Sequence, residues 1–123
     1  MTLPIDLRVF IASDGMVELG EGKLFHCLSG IRGNCHVSIG DAVEWYCETD
    51  KDSKWDIVII DCERFTSALE IVVAIQDFDP EQYVIVIHPA AMQIAEFSCG
   101  LYVPRDGQML VKAFERLGIG GET

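Results

Sequence analysis

Basic residues are scarce in this chain: 9 lysines and arginines stand against 20 aspartates and glutamates, a formal net charge of −11. The few bases form no patch, and such a field repels nucleic acid, so proteins or small molecules are the expected partners. Long hydrophobic runs are lacking too. No stretch reaches the ~20 apolar residues of a membrane-spanning helix. The opening "MTLPIDLRVFIASD" has neither a basic leader nor a long apolar segment, so it does not read as a secretory signal. A cytoplasmic protein of bacterial style is expected. No C-x-x-C pair occurs among the five cysteines, Cys27, Cys35, Cys47, Cys62 and Cys99. Their odd number argues against a disulfide framework, and their spacing argues against a common zinc pattern. His26–Cys27 and Cys35–His36 could supply four metal ligands in two adjacent pairs, but the spacing fits no zinc template, and reduced structural thiols are expected. Repeats and low-complexity segments are absent as well.

Half of the 123 residues are apolar and 24% are charged, which is the composition of a single globular domain with a real core. The pattern alternates between strand and helix. "LRVFIA" at 7–12 reads as a first strand, followed by a weak helix with an apolar stripe of Leu24, Phe25, Leu28 and Ile31. Gly20 and Gly22 disfavour the start of that helix. "CHVSI" is a short second strand. Asp41 and Glu44 have the form of a capping box opening the next helix, "AVEWYCE". After the polar loop "TDKDSK", the run Trp55 to Asp61 makes a third strand. Phe65, Ala68, Leu69, Val72 and Val73 then repeat at helical spacing. "YVIVI" at 83–87 is a fourth strand, and "AAMQIAEF" after Pro89 is predicted to form a short helix. "LYV" at 101–103 is the last strand. Asp106 caps a closing helix that Gly118 stops. The domain spans 1–118, with 119–123 as a tail or the start of a linker. Five βα units predict a three-layer α/β/α fold on a parallel sheet, whose functional groups gather at the carboxyl ends of the strands. Asp14, Asp61 and His88 all fall at such ends.

Five βα units in this length, "DIVIID" as third strand and "P-x-D-x-x-x-L" leading into the last helix resemble the receiver domain of two-component response regulators, over essentially the whole chain. The resemblance implies a five-stranded sheet in the order 2-1-3-4-5, as in flavodoxin-like folds. In that family an acidic pair after the first strand and an aspartate after the third hold Mg²⁺. The latter aspartate takes a phosphoryl group from a histidine kinase. A Ser or Thr after the fourth strand and a Lys after the fifth stabilise the phosphorylated state. Matched position by position, Asp61 falls in the phospho-acceptor slot and Asp14 on the second member of the acidic pair. Ser13 takes the place of the first acid, His88 that of the hydroxyl, and Val103 that of the lysine. Arg105 is the nearest base, two residues on and expected to point elsewhere. Glu63 adds a carboxylate near the pocket mouth. The stretch from His88 to Val103 is short for a receiver.

With those slots altered, the resemblance implies an atypical receiver, or pseudo-receiver. Its expected work is protein interaction or dimerisation in signal transduction, without phosphorylation, catalysis or a resident cofactor. Mg²⁺ at Asp14 and Asp61 would be weak. One alternative is a working receiver that accepts phosphate on Asp61 from a histidine kinase. Another is a small-molecule sensor, favoured by an apolar cleft near Phe97 and Tyr102. His88 is expected to pack at its strand end or to donate to Asp61. Cys62 and Cys99 flank the acid in sequence but are expected to be inert thiols.

Overall fold

A computed structural model describes Leu3, residues 6–48 and residues 54–118. The tail 119–123 and most of the "TDKDSK" loop lie outside the described residues. Six strands and three α-helices occur within them. The strands are β1 (Arg8–Ser13), β2 (Gly33–Ser38), β3 (Ile57–Asp61), β4 (Val84–His88), β5 (Ala95–Phe97) and β6 (Gly100–Pro104). The helices are α1 (Ala42–Cys47), α2 (Phe65–Phe78) and α3 (Gly107–Arg116). No helix among the described residues is long and apolar enough to cross a membrane.

The sheet runs β2-β1-β3-β4-β6-β5. All neighbours are parallel except β5, which pairs antiparallel with β6 at the edge. Strand number and order therefore differ from the expected five in the order 2-1-3-4-5. The cause is local. The predicted helix "AAMQIAEF" does not form, and its last three residues fold back on the final strand instead. Phe97 lies opposite Gly100, so Ser98 and Cys99 make the turn, with Cys99 at φ 57°. The Gln76 side-chain amide donates to the carbonyls of Ser98 and Cys99, and Phe97 stacks on Tyr102 with ring centroids 4.6 Å apart. A short strand satisfies its backbone across the hairpin, whereas so short a helix would leave most of its end groups unpaired.

Side-chain alternation along the central strands builds two cores. Val9, Ile11, Ile57, Ile59, Ile85 and Ile87 face one side, against Leu110, Ala113 and Phe114 of α3. Phe10, Val58, Ile60, Val84 and Val86 face the other, against Ala42 and Tyr46 of α1 and Ala68, Ile71, Val72 and Ile75 of α2. Helix, sheet and helix form the three layers. β3 is buried along its whole length, and each fully buried isoleucine there contributes about 2 kcal/mol.

A second expected helix is also absent. The stripe around 24–31 is real, for Phe25, Leu28 and Ile31 are buried in the α3-side core, but the backbone makes only a 3-10 turn at His26–Leu28. Gly22 takes φ 81°, where the chain turns rather than coils into a helix. At α1 the capping box is not made. Asp41 Oδ2 accepts from Ser38 Oγ at 3.0 Å, and a 3-10 turn at Ile39–Asp41 leads into the helix. The cap of α3 is made as read: Asp106 Oδ1 accepts from the Gln108 and Met109 backbone N–H groups. Gly118, at φ 75°, follows the end of that helix.

Candidate functional site

Register places the site residues in two rows at the carboxyl edge of the sheet. Ser13 lies opposite Asp61, Asp61 opposite Ile87, and Ile87 opposite Val103. One residue further on, His88 lies opposite Pro104. The two-residue period decides which layer each row meets. Asp61 continues the side of Ile57 and Ile59 and so faces α3, as Val103 does. His88 continues the side of Val84 and Val86 and faces α2.

Asp61 is buried, and the guanidinium of Arg105 forms an ion pair and hydrogen bond with its carboxylate. Arg105 was expected to point elsewhere. It points at Asp61 because a step of two keeps Val103 and Arg105 on one side, and the long side chain bridges the remaining gap. Burial pushes the Asp61 carboxyl up from the ordinary range; Arg105 opposes this, while Asp14 and Glu63 add to it. Val103 itself is fully buried in the core and presents no charge to the acid.

Asp14 holds the neighbouring loop together. Its backbone N–H donates to the Asp61 carbonyl at 3.1 Å, and its Oδ2 accepts from the Glu63 backbone N–H at 2.8 Å. The contribution of Glu63 to this contact is therefore its amide, while the residue itself is exposed. Ser13 is buried and its Oγ accepts from the Gly15 N–H at 3.1 Å, which closes the turn after β1. Cys62 is buried beside these groups, and burial raises its thiol above the usual range.

His88 does not reach Asp61. Its Nδ1 accepts from the Ala90 N–H at 3.1 Å, and its ring lies 4.3 Å from that of Phe65. Tyr102 packs against both rings, at 5.6 Å from Phe65 and 6.3 Å from His88. Phe97 completes the group by stacking on Tyr102. Phe65, His88, Phe97 and Tyr102 thus form one aromatic group on the α2 side of the sheet.

One cleft lies on the α3 side of the sheet. It has a volume of about 1060 Å³ and runs between the segment 22–31 and the start of α3, with Arg105 on its wall. Sequence reasoning missed it because a helix was expected along that segment.

The donor set does not suit Mg²⁺. Ser13 supplies a hydroxyl where a second carboxylate would be needed, Asp61 is taken by a guanidinium, and Asp14 is taken by the Glu63 amide. Among the described residues no three His, Cys, Asp or Glu side chains converge to hold a metal ion, so the His26–Cys27 and Cys35–His36 pairs do not form a site either. All five cysteines are free thiols. No protein-family model, no curated protein and no solved structure matches the chain.

Proposed function

We propose that this chain is an atypical receiver, a signalling module that works through contact with a protein partner or a second copy of itself and not through phosphate chemistry. The observation that carries the reading is the Arg105–Asp61 pair: the acid in the acceptor slot is already neutralised by an arginine from outside the lysine slot. A guanidinium on the carboxylate occupies the face on which an incoming phosphoryl group and its cation would have to sit. The missing second acid at Ser13 points the same way. The likeness to the receiver family gains support from the five parallel strands, which follow the order β2-β1-β3-β4-β6 with the acid at the end of the third. Two departures count against a working receiver, the absent helix between β1 and β2 and the hairpin in place of the helix after β4. Exposed apolar side chains on α1 and α2, Trp45, Val73 and Phe78, support a protein partner. The module would act in the cytoplasm of a bacterium, without catalysis of its own, without nucleic acid and without a membrane.

One observation favours a second reading, a phosphorylatable receiver served by a histidine kinase. Arg105 places a permanent cation where a phosphoryl oxygen on Asp61 would need one, so it would replace the lysine functionally. The test is incubation of the purified protein with acetyl phosphate or phosphoramidate and Mg²⁺, read by intact mass, with Asp61→Asn as control. No adduct is expected. A phosphate-sized gain on the wild type that Asp61→Asn abolishes would replace the first reading with the second.

A further inference from the structure

We propose that the cleft between residues 22–31 and α3 binds a small organic carboxylate, which takes the free side of the Arg105 guanidinium. Its volume of about 1060 Å³ lies just above the roughly 300–1,000 Å³ of ordinary small-molecule sites, so a small ligand would fill only part of it. The backbone fixes its shape. A Cβ on Gly107 would meet the Lys23 and Leu24 carbonyls at 3.4 and 3.5 Å, so the 22–31 segment rests directly on the first turn of α3.

The charge on the walls selects the ligand. In a chain of net charge −11, this cleft is lined by two fixed cations, Lys23 and Arg105, and one acid, Asp106. Asp106 is already engaged with the Gln108 and Met109 N–H groups. Lys23 pairs with Glu18 at 3.4 Å, but both side chains are half exposed, so the pair is weak and readily exchanged for a ligand anion. Concave walls focus such a local positive field. A monoanion suits it better than a dianion, because the Asp106 carboxylate stands beside the binding cation. Leu24, Ile31 and Val111 supply apolar wall for an organic body.

Arg105 joins the cleft to the acid. Its guanidinium has five N–H donors, and one nitrogen serves Asp61 while the side chain as a whole remains 54% exposed. A carboxylate in the cleft would share or draw away this group and leave Asp61 less well paired. The site itself stands on the cleft; only its consequence for Asp61 rests on the regulatory reading above.

The test is a titration of the isotope-labelled protein with 4-phenylbutyrate, followed by amide chemical shifts at constant pH and ionic strength. Its neutral amide, 4-phenylbutyramide, is the control. Saturable shifts are expected at 22–31 and 105–111, with the neutral amide weaker by about tenfold or more because it cannot form the charged fork. Lys23→Gln and Arg105→Gln should each weaken the carboxylate severalfold, and Lys23→Gln touches no buried group. Asp61→Asn, which frees Arg105, should tighten it. Equal binding of carboxylate and amide, shifts elsewhere on the surface, or no saturable shift would overturn the proposal. The titration uses no phosphoryl donor, so its outcome does not depend on whether Asp61 can be phosphorylated, and the two readings fail separately.

Discussion

The guanidinium of Arg105 meets the carboxylate of Asp61 across 44 positions of sequence, at the edge where β3 ends and α3 is about to begin. The two partners are unequal. The Asp61 side chain is 8% exposed and that of Arg105 54%. The acid therefore bears the desolvation, and the arginine offsets it from a position still in contact with water.

Removing the arginine should strand the acid. Arg105→Met is expected to destabilise the protein by about 2 kcal/mol at pH 7. That is below the 3–5 kcal/mol of a fully buried pair, because Arg105 is half in solvent. The loss requires an ionised Asp61, so it is present above the pKa of that carboxyl and disappears as falling pH protonates it. Urea midpoints for wild type and variant at pH 7 and pH 4 measure this. An equal loss at both values would mean that Arg105 stabilises by packing alone.

The acid itself should be dispensable for folding. Burial raises the Asp61 carboxyl above its unfolded value, so the native state holds the proton more tightly than the unfolded chain. For such a group stability falls as pH rises from the unfolded pKa, about 3.9 for aspartate, through the folded one. Asp61→Asn removes that slope. The variant should match the wild type at low pH and equal or exceed it, by up to about 1 kcal/mol, at pH 7. A variant clearly less stable at pH 7 would show that the arginine pair outweighs the cost of burial.

Much of this arrangement was legible in the sequence because it rests on period two. Ile57 to Ile60 leading into Asp61 announced a central strand with an acid at its carboxyl end, and β1 and β4 set Asp14 and His88 at neighbouring ends. The same period, carried two residues past Val103, would have placed Arg105 on the side of Asp61. Apolar residues at helical spacing do not by themselves make a helix here. Leu24, Phe25, Leu28 and Ile31 satisfy helical spacing, but a glycine-rich loop can bury such residues just as well. Ala95 to Phe97 were assigned to a helix because their partner, Gly100 to Tyr102, is revealed only by the hairpin. The Tyr46 hydroxyl donating to Gln82 Oε1 at 2.6 Å had no sequence signal, since it joins α1 to the loop before β4.

Thiol chemistry should report the same burial. Cys99 is exposed at the hairpin turn, whereas Cys62 is buried behind Asp61 and burial pushes the Cys27 thiol up to about 11. The thiolate is the reacting form. Iodoacetamide at pH 8, followed by peptide mass analysis, should therefore label Cys99 first and Cys27 and Cys62 last. Early labelling of Cys62 would mean that the end of β3 opens to solvent far more often than the packing around Asp61 allows.

The edge hairpin should depend on one glycine. A Cβ at Gly100 would fall inside contact distance of the Phe97 ring and of the Val84 carbonyl oxygen. The ring can shift only by giving up its stacking on Tyr102. The carbonyl belongs to β4 in the middle of the sheet and has nowhere to go. Gly100→Ala is therefore expected to cost about 2 kcal/mol, in the range of overpacked cores. Gly40→Ala is the matched control, because a Cβ there meets nothing within 4 Å and no unusual backbone angle is needed. It should be neutral or slightly stabilising, by up to about 1 kcal/mol, through the unfolded chain. Thermal unfolding of both variants, with near-ultraviolet circular dichroism to follow the Phe97–Tyr102 stack, separates the cases. A Gly100→Ala protein as stable as the Gly40→Ala control would mean that β5 is not held against β6, and that the pairing of Phe97 with Gly100 contributes nothing to the fold.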